Sequence, residues 1–143
     1  MPTPTMTAEL SSTLRMAVMR LARRLRAERA DTSLSLSQMA ALGSLVRFGS
    51  LTPGELAEVE KVQPPSMTRT VASLEARGLV SRMPHPQDRR QVLLTATPEA
   101  EAMVRADRRR RDAWMSQRLS ELTPAEREKL RAAAEILERL ADA

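Results

Sequence analysis

The stretch HPQDRRQVLLTAT (residues 85–97) crowds His85, Asp88, Arg89 and Arg90 into one short turn. An imidazole near a carboxylate suggests acid–base chemistry, whereas adjacent guanidinium groups suggest anion recognition. The first option lacks parts. His85 is the only histidine and there is no cysteine, so no second ligand, paired base or thiolate can be assembled around it. An enzyme is therefore not expected. The second option stands, because a guanidinium is a planar donor fork that fits phosphates and guanine edges. Pro84 and Pro86 stiffen the approach to the turn, and Val92, Leu93 and Leu94 lead away from it as an extended segment. Asp88 is the odd member, since an anionic partner repels a carboxylate. Its expected role is internal: to accept hydrogen bonds from the tip backbone or to pair an arginine.

A second polar set lies just upstream, in QPPSMTRTVASLEARG. Met67, Val71 and Leu74 mark a narrow apolar stripe at helical spacing, and Ser66, Arg69, Thr70, Ser73 and Arg77 face away from it. Pro64 precedes a proline, which disfavours helical geometry at Pro64, so the helix is expected to start at Pro65. Gly78 is its left-handed terminator.

The chain has 143 residues, one domain-sized unit by length, and a formal charge of +5 carried almost entirely by arginine. Two readings of the arginine excess compete: an anionic partner, or the codon bias of a GC-rich genome. The count alone does not decide between them. Disulfides, thiolate metal sites and thiol redox sensing are excluded by composition. No apolar run reaches the length of about 20 residues that spans a bilayer. The start, MPTPTMTAEL, lacks the charged-then-apolar pattern of a secretory signal and is expected to be a short disordered arm. A soluble, cytoplasmic protein is the expectation.

The elements that must position the two polar sets read as follows. Residues 8–30 form a helix with Leu10, Leu14, Ala17, Val18, Leu21 and Leu25 on one face. Ser35 with Gln38 is a capping box that opens a second helix, which FGS at 48–50 ends. Thr52, Pro53 and Glu55 open a third helix, and Thr123, Pro124 and Glu126 repeat that start signal before the last. LVSRM and QVLLTA read as the two strands of a hairpin around the polar loop. A long helix follows Pro98, with the arginine run 108–111 near its middle, which reads as a solvated face. The class is mainly α with a small β-hairpin wing: a winged helix-turn-helix flanked by long N- and C-terminal helices. The expected division is 1–33, 34–97 and 98–143.

That order implies double-stranded DNA as partner. The second helix of such a unit enters the major groove with its N-terminal residues nearest the bases. Gln63, Pro65, Ser66, Thr68, Arg69, Thr70 and Ser73 are the candidate contacts, with Arg69 suited to guanine, Gln63 to adenine, and Ser66 and Thr70 to phosphates. The hairpin would reach the flanking minor groove, with Arg90 inserted and Arg89 on phosphate. Singly, each feature has a duller reading as a wet surface or a solvated loop. Their order and spacing together carry the argument.

The stretch VQPPSMTRTVASLEARGLVSRMPHPQDRRQVLLTAT resembles the core of the MarR family of winged-helix transcriptional regulators. The LEARGLVSR helix exit, Asp88 and Arg90 as a D-x-R wing, and Leu94-Thr95 carry the resemblance, and LSLSQMAAL at 34–42 adds to it. A glycine often found soon after the Leu-Thr pair is absent here. The resemblance implies a repressor acting as a homodimer built from the two chain ends, on a pseudo-palindromic site. The apolar stripes of the first helix and the last two, too rich for a small winged core, point to the same dimer, and an intramolecular bundle is the competing account. The resemblance also implies a small aromatic or anionic effector, for which Met16, Met19, Arg20, Met39 and Trp114 are candidates. Methionines at such spacing also serve as ordinary core. No metal or other cofactor is expected. The rival function is a helical module binding a protein or an anionic membrane, which leaves the wing unexplained.

Overall fold

A computed structural model describes residues 1, 3–29 and 31–143. Among them run α1 (Pro4–Ala27), α2 (Leu36–Phe48), α3 (Pro53–Glu60), α4 (Pro64–Ala76), β1 (Val80–Pro84), β2 (Val92–Ala96), α5 (Pro98–Ser120) and α6 (Pro124–Ala141). The class is the expected one, mainly helical with one antiparallel hairpin. Two compact units result: Arg29–Arg109, and Met1–Glu28 together with Arg110–Ala143. No described helix is long and apolar enough to cross a membrane.

In the winged unit, Leu34, Leu42, Leu56, Val71, Leu74, Leu79, Leu94 and Val104 are fully buried. They come from α2, α3, α4, the hairpin, the start of α5 and the linker before α2. This explains why the unit extends into the first turns of α5. Capping boxes form at Ser35 with Gln38 and at Thr52 with Glu55. Each satisfies helix N–H groups that would otherwise lack partners. Lys61 (φ 55°) closes α3 in the left-handed region, and Val62 N donates to Ala57 O at 3.0 Å, which turns the chain sharply into α4. Gly78 (φ 72°) makes the corresponding exit from α4 into β1.

The hairpin pairs Val80 with Ala96 through to Pro84 with Val92. Its second strand has a further neighbour. Leu51 and Leu94 exchange backbone hydrogen bonds at 3.1 and 2.8 Å, so the segment leaving α2 roots the wing in the core.

Two helix starts differ from the sequence expectation. The N-terminal arm is helical from Pro4, because Thr3 caps it, its side chain accepting from Met6 N at 3.4 Å. This is the threonine–proline grammar already seen at Thr52-Pro53. α4 starts at Pro64 rather than Pro65, with Gln63 as the flanking residue. Proline's fixed φ suits the first helical position, and the missing N–H is not needed there. The end of the helix expected over 8–30 reaches residue 30, which lies outside the described residues.

In the helical unit, α1 and α6 contain no buried residue. Leu10, Leu21, Leu130, Ile136, Leu137 and Leu140 are all exposed, Leu10 at 63% and Leu140 at 57%. α6 opens with the third capping box, at Thr123 and Glu126. Arg127 donates to the carbonyls of Leu119 and Leu122 at 3.1 and 2.6 Å, which ties off the end of α5.

Candidate nucleic-acid interface

Met67, Val71 and Leu74 are buried and fix the rotation of α4. At helical spacing, the line opposite them is Pro65, Arg69, Ala72 and Ala76, with Pro65, Arg69 and Ala72 exposed. Apart from Arg69 these side chains are small, so a surface can approach the backbone closely. Thr68 lies on one flank of this line. Ser66, Thr70 and Ser73 lie on the other, with Ser66 and Thr70 half-buried.

Local hydrogen bonds define what each side chain offers. Gln63 sits at the N-cap without spending its amide on the cap, so the amide is available to a ligand. The first turn of α4 carries no acidic residue, which leaves its N-terminal dipole unopposed for an anion. Arg69 Nη2 donates to Ser66 Oγ at 3.4 Å, drawing the guanidinium toward the helix start. Thr68 Oγ1 donates back to Pro64 O at 3.0 Å.

Ser73 is engaged by α2. Its hydroxyl accepts from Gln38 Nε2 at 2.7 Å, and one turn later Arg77 donates to Ser33 O and Ser33 Oγ at 3.0 and 3.1 Å. Gln38 lies in the first turn of α2 and Ser33 in the segment leading into it. Asp31 holds that segment in turn, accepting from Ser33 N at 2.7 Å, and this bond lowers its pKa below the ordinary carboxylate value. These ties escaped sequence reasoning. Gln38 was legible as a capping residue, but its reach to Ser73 was not.

The wing is organised by the residues that looked chemical. Asp88 Oδ1 accepts from Arg90 N at 3.0 Å and the Asp88 backbone carbonyl accepts from Gln91 N at 3.1 Å, so carboxylate and carbonyl together shape the tip. His85 has a comparable role that the sequence did not disclose. Its Nδ1 accepts from Gln87 N at 3.1 Å, and its backbone N–H donates to Gln91 O at 3.1 Å. The result is a short, cross-braced turn with Arg89 and Arg90 exposed on it. An ion pair between Arg82 on β1 and Glu75 on α4 joins wing to helix.

The proposed effector residues divide between the units. Met39, 8% exposed, is part of the winged core. Met16, Met19 and Arg20 are exposed on α1. The guanidinium groups of Arg24 and Arg118 lie over the ring of Trp114, 5.2 and 5.3 Å from its centroid. Its indole N–H is buried, with no hydrogen-bond partner among the described residues. Arg108, Arg109 and Arg110 are exposed on α5.

Comparison with known proteins agrees with this architecture. Residues 34–92 match the model of the MarR family. The HTH-type transcriptional regulator MT0903.1 of Mycobacterium tuberculosis is 47% identical over 135 residues, 94% of each chain. A mutant form of MarR from E. coli superposes with a TM-score of 0.78 at 26% identity, covering 90% of this chain and 95% of that one. BpsR of Bordetella bronchiseptica, whose DNA binding is regulated by 6-hydroxynicotinic acid, gives a TM-score of 0.70 at 25% identity over 94% of both chains. These relatives are regulators and not enzymes.

Proposed function

We propose, for a chain that belongs to the MarR family of transcriptional regulators, that it works in the cytoplasm as a homodimeric, ligand-responsive repressor on a near-palindromic operator. One observation carries the reading: Arg69 on the outward line of α4 and Arg90 on the braced wing are both exposed, Arg69 donating from its side chain to Ser66 and Arg90 from its backbone N–H to Asp88. α4 enters the major groove, where Arg69 reads guanine and Gln63 reads adenine, while Ser66, Thr70 and Arg89 hold phosphates. Arg90 enters the adjoining minor groove.

The exposed apolar faces of α1 and α6 support the dimer. A monomer would leave Leu10, Leu130, Leu137 and Leu140 in water, and a second copy is the simplest cover for them. The Trp114 neighbourhood supports an aromatic or anionic effector. Flanking arginines and an unpartnered indole N–H are donors that a carboxylate would satisfy. Regulation of BpsR by an aromatic acid is of that chemical kind.

The test is selection of genomic fragments by the purified protein, with and without a panel of aromatic acids. Enrichment of one near-palindrome that an acid abolishes supports the whole reading. Equal retention of all fragments contradicts sequence recognition, and enrichment indifferent to every acid contradicts the effector chemistry.

A further inference from the structure

The hydrogen bond inside α4 fixes what Thr68 can say to a base. Thr68 is exposed at the fifth position of the helix, within the N-terminal half that approaches base edges. Its hydroxyl hydrogen is committed to Pro64 O at 3.0 Å, on the helix's own backbone. What remains for a ligand is a methyl group and oxygen lone pairs, without a donor. Guanine N7 and O6, adenine N7 and thymine O4 are all acceptors, so Thr68 has no hydrogen bond to give them; its lone pairs can accept only from adenine N6 or cytosine N4, and its methyl is left for an apolar contact. The major-groove feature that asks only for an apolar neighbour is the C5-methyl of thymine.

The surroundings favour a close approach. Pro65 and Ala72, beside Thr68 on the outward line, are small or compact and carry no polar side chain to hold water over the contact. Arg69 and Ser66 are paired with each other and do not compete for this position.

We propose that Thr68 is a specificity-determining residue that selects thymine through methyl–methyl contact, one base pair in each half-site. This rests on α4 being the DNA-reading helix. Arg69 supplies the guanine contact and Thr68 an apolar one beside it, so the two side chains read by different physics. Thr68 discriminates by shape and apolar burial, and its contribution is insensitive to salt, unlike phosphate contacts.

The experiment uses the full chain and its selected operator. Each thymine is replaced singly by deoxyuridine, which differs only in lacking the methyl group, and affinities are measured for the unaltered protein, Thr68→Ser and Thr68→Val. At one thymine position in each half-site, the single replacement is expected to weaken the unaltered protein about fourfold, the effect of one methyl group leaving an apolar contact. Thr68→Ser loses that thymine-to-uracil ratio, because serine keeps the hydroxyl and lacks the methyl. Thr68→Val keeps it, being isosteric and without the hydroxyl. The reverse pattern, ratio kept by serine and lost by valine, overturns the proposal, as does an operator in which no thymine responds to the replacement. Absence of any selected operator defeats the DNA-reading assignment itself, and is distinguished because it appears before any variant is made.

Discussion

Gln38 donates from Nε2 to Ser73 Oγ at 2.7 Å while its Oε1 accepts from Ser35 N at 2.8 Å. One amide therefore closes the cap of α2 and holds α4 along the flank of its exposed line that carries Ser73. With Arg77 on Ser33, it fastens α4 and its C-terminal flank to the start of α2 and the segment before it. The orientation of α4 depends on this fastening as well as on the buried Met67, Val71 and Leu74.

If Gln38 acts on DNA through Ser73, the two substitutions Gln38→Ala and Ser73→Ala share one effect. Each should weaken operator binding several-fold, and the double variant should be little worse than either. The expected coupling is that of one hydrogen bond, about 0.5–1.5 kcal/mol. Fully additive losses in a filter-binding or anisotropy series would mean that the two residues act separately.

Asp88 predicts a sharper contrast. Asp88→Asn retains a side-chain oxygen for Arg90 N and should preserve the turn, with operator affinity equal to or above that of the parent. Asp88→Ala removes the acceptor and should reduce affinity toward that of Arg90→Ala. Neither change should move the melting temperature appreciably, since the loop is exposed. A wing variant that melts early would show that the turn serves stability rather than contact.

Assembly is tested at Leu140. An exposed leucine on α6 should tolerate a charge in a lone chain but not at a subunit interface. Light scattering at micromolar concentration should give twice the single-chain mass for the parent and the single-chain mass for Leu140→Glu. A parent that already runs as a monomer would reject the dimer.

Acid should loosen the helix starts. The Glu55 carboxylate is held below its ordinary value of 4.5, first by the Thr52 backbone N–H and then by the Thr52 hydroxyl, and Glu126 is held down in the same way by Thr123. A carboxyl whose pKa is lower in the folded state contributes fully above its unfolded value. That contribution is lost as pH falls through the folded one. Melting temperature should therefore decline from about pH 4.5 downward. Glu55→Gln keeps a cap acceptor without a titrating group, so its decline should be shallower. An unchanged acid profile in that variant would remove Glu55 from the account.

The sequence made local grammar legible and left distant partnerships hidden. Capping boxes at Ser35, Thr52 and Thr123 could be read because cap and partner lie three residues apart. The buried stripe of α4 followed from its period, and the brace at Asp88 from turn chemistry two residues long. Gln38 on Ser73, Arg77 on Ser33 and Leu51 on Leu94 join positions brought together only by folding, and no spacing rule announces them. His85 was legible as a poor catalyst, but its use as a turn acceptor depends on the loop's own path. At the N-terminus, Thr3-Pro4 carried the same start signal as Thr52-Pro53, yet a Pro/Thr-rich segment read first as unstructured.

The central claim is that two copies present their α4 helices to one face of a duplex, about one helical turn apart. The most direct measurement is operator affinity as base pairs are inserted between the half-sites. Insertion of about five base pairs, half a turn, should abolish tight binding by moving one half-site to the far side of the duplex. Affinity that does not change with that insertion would contradict the account.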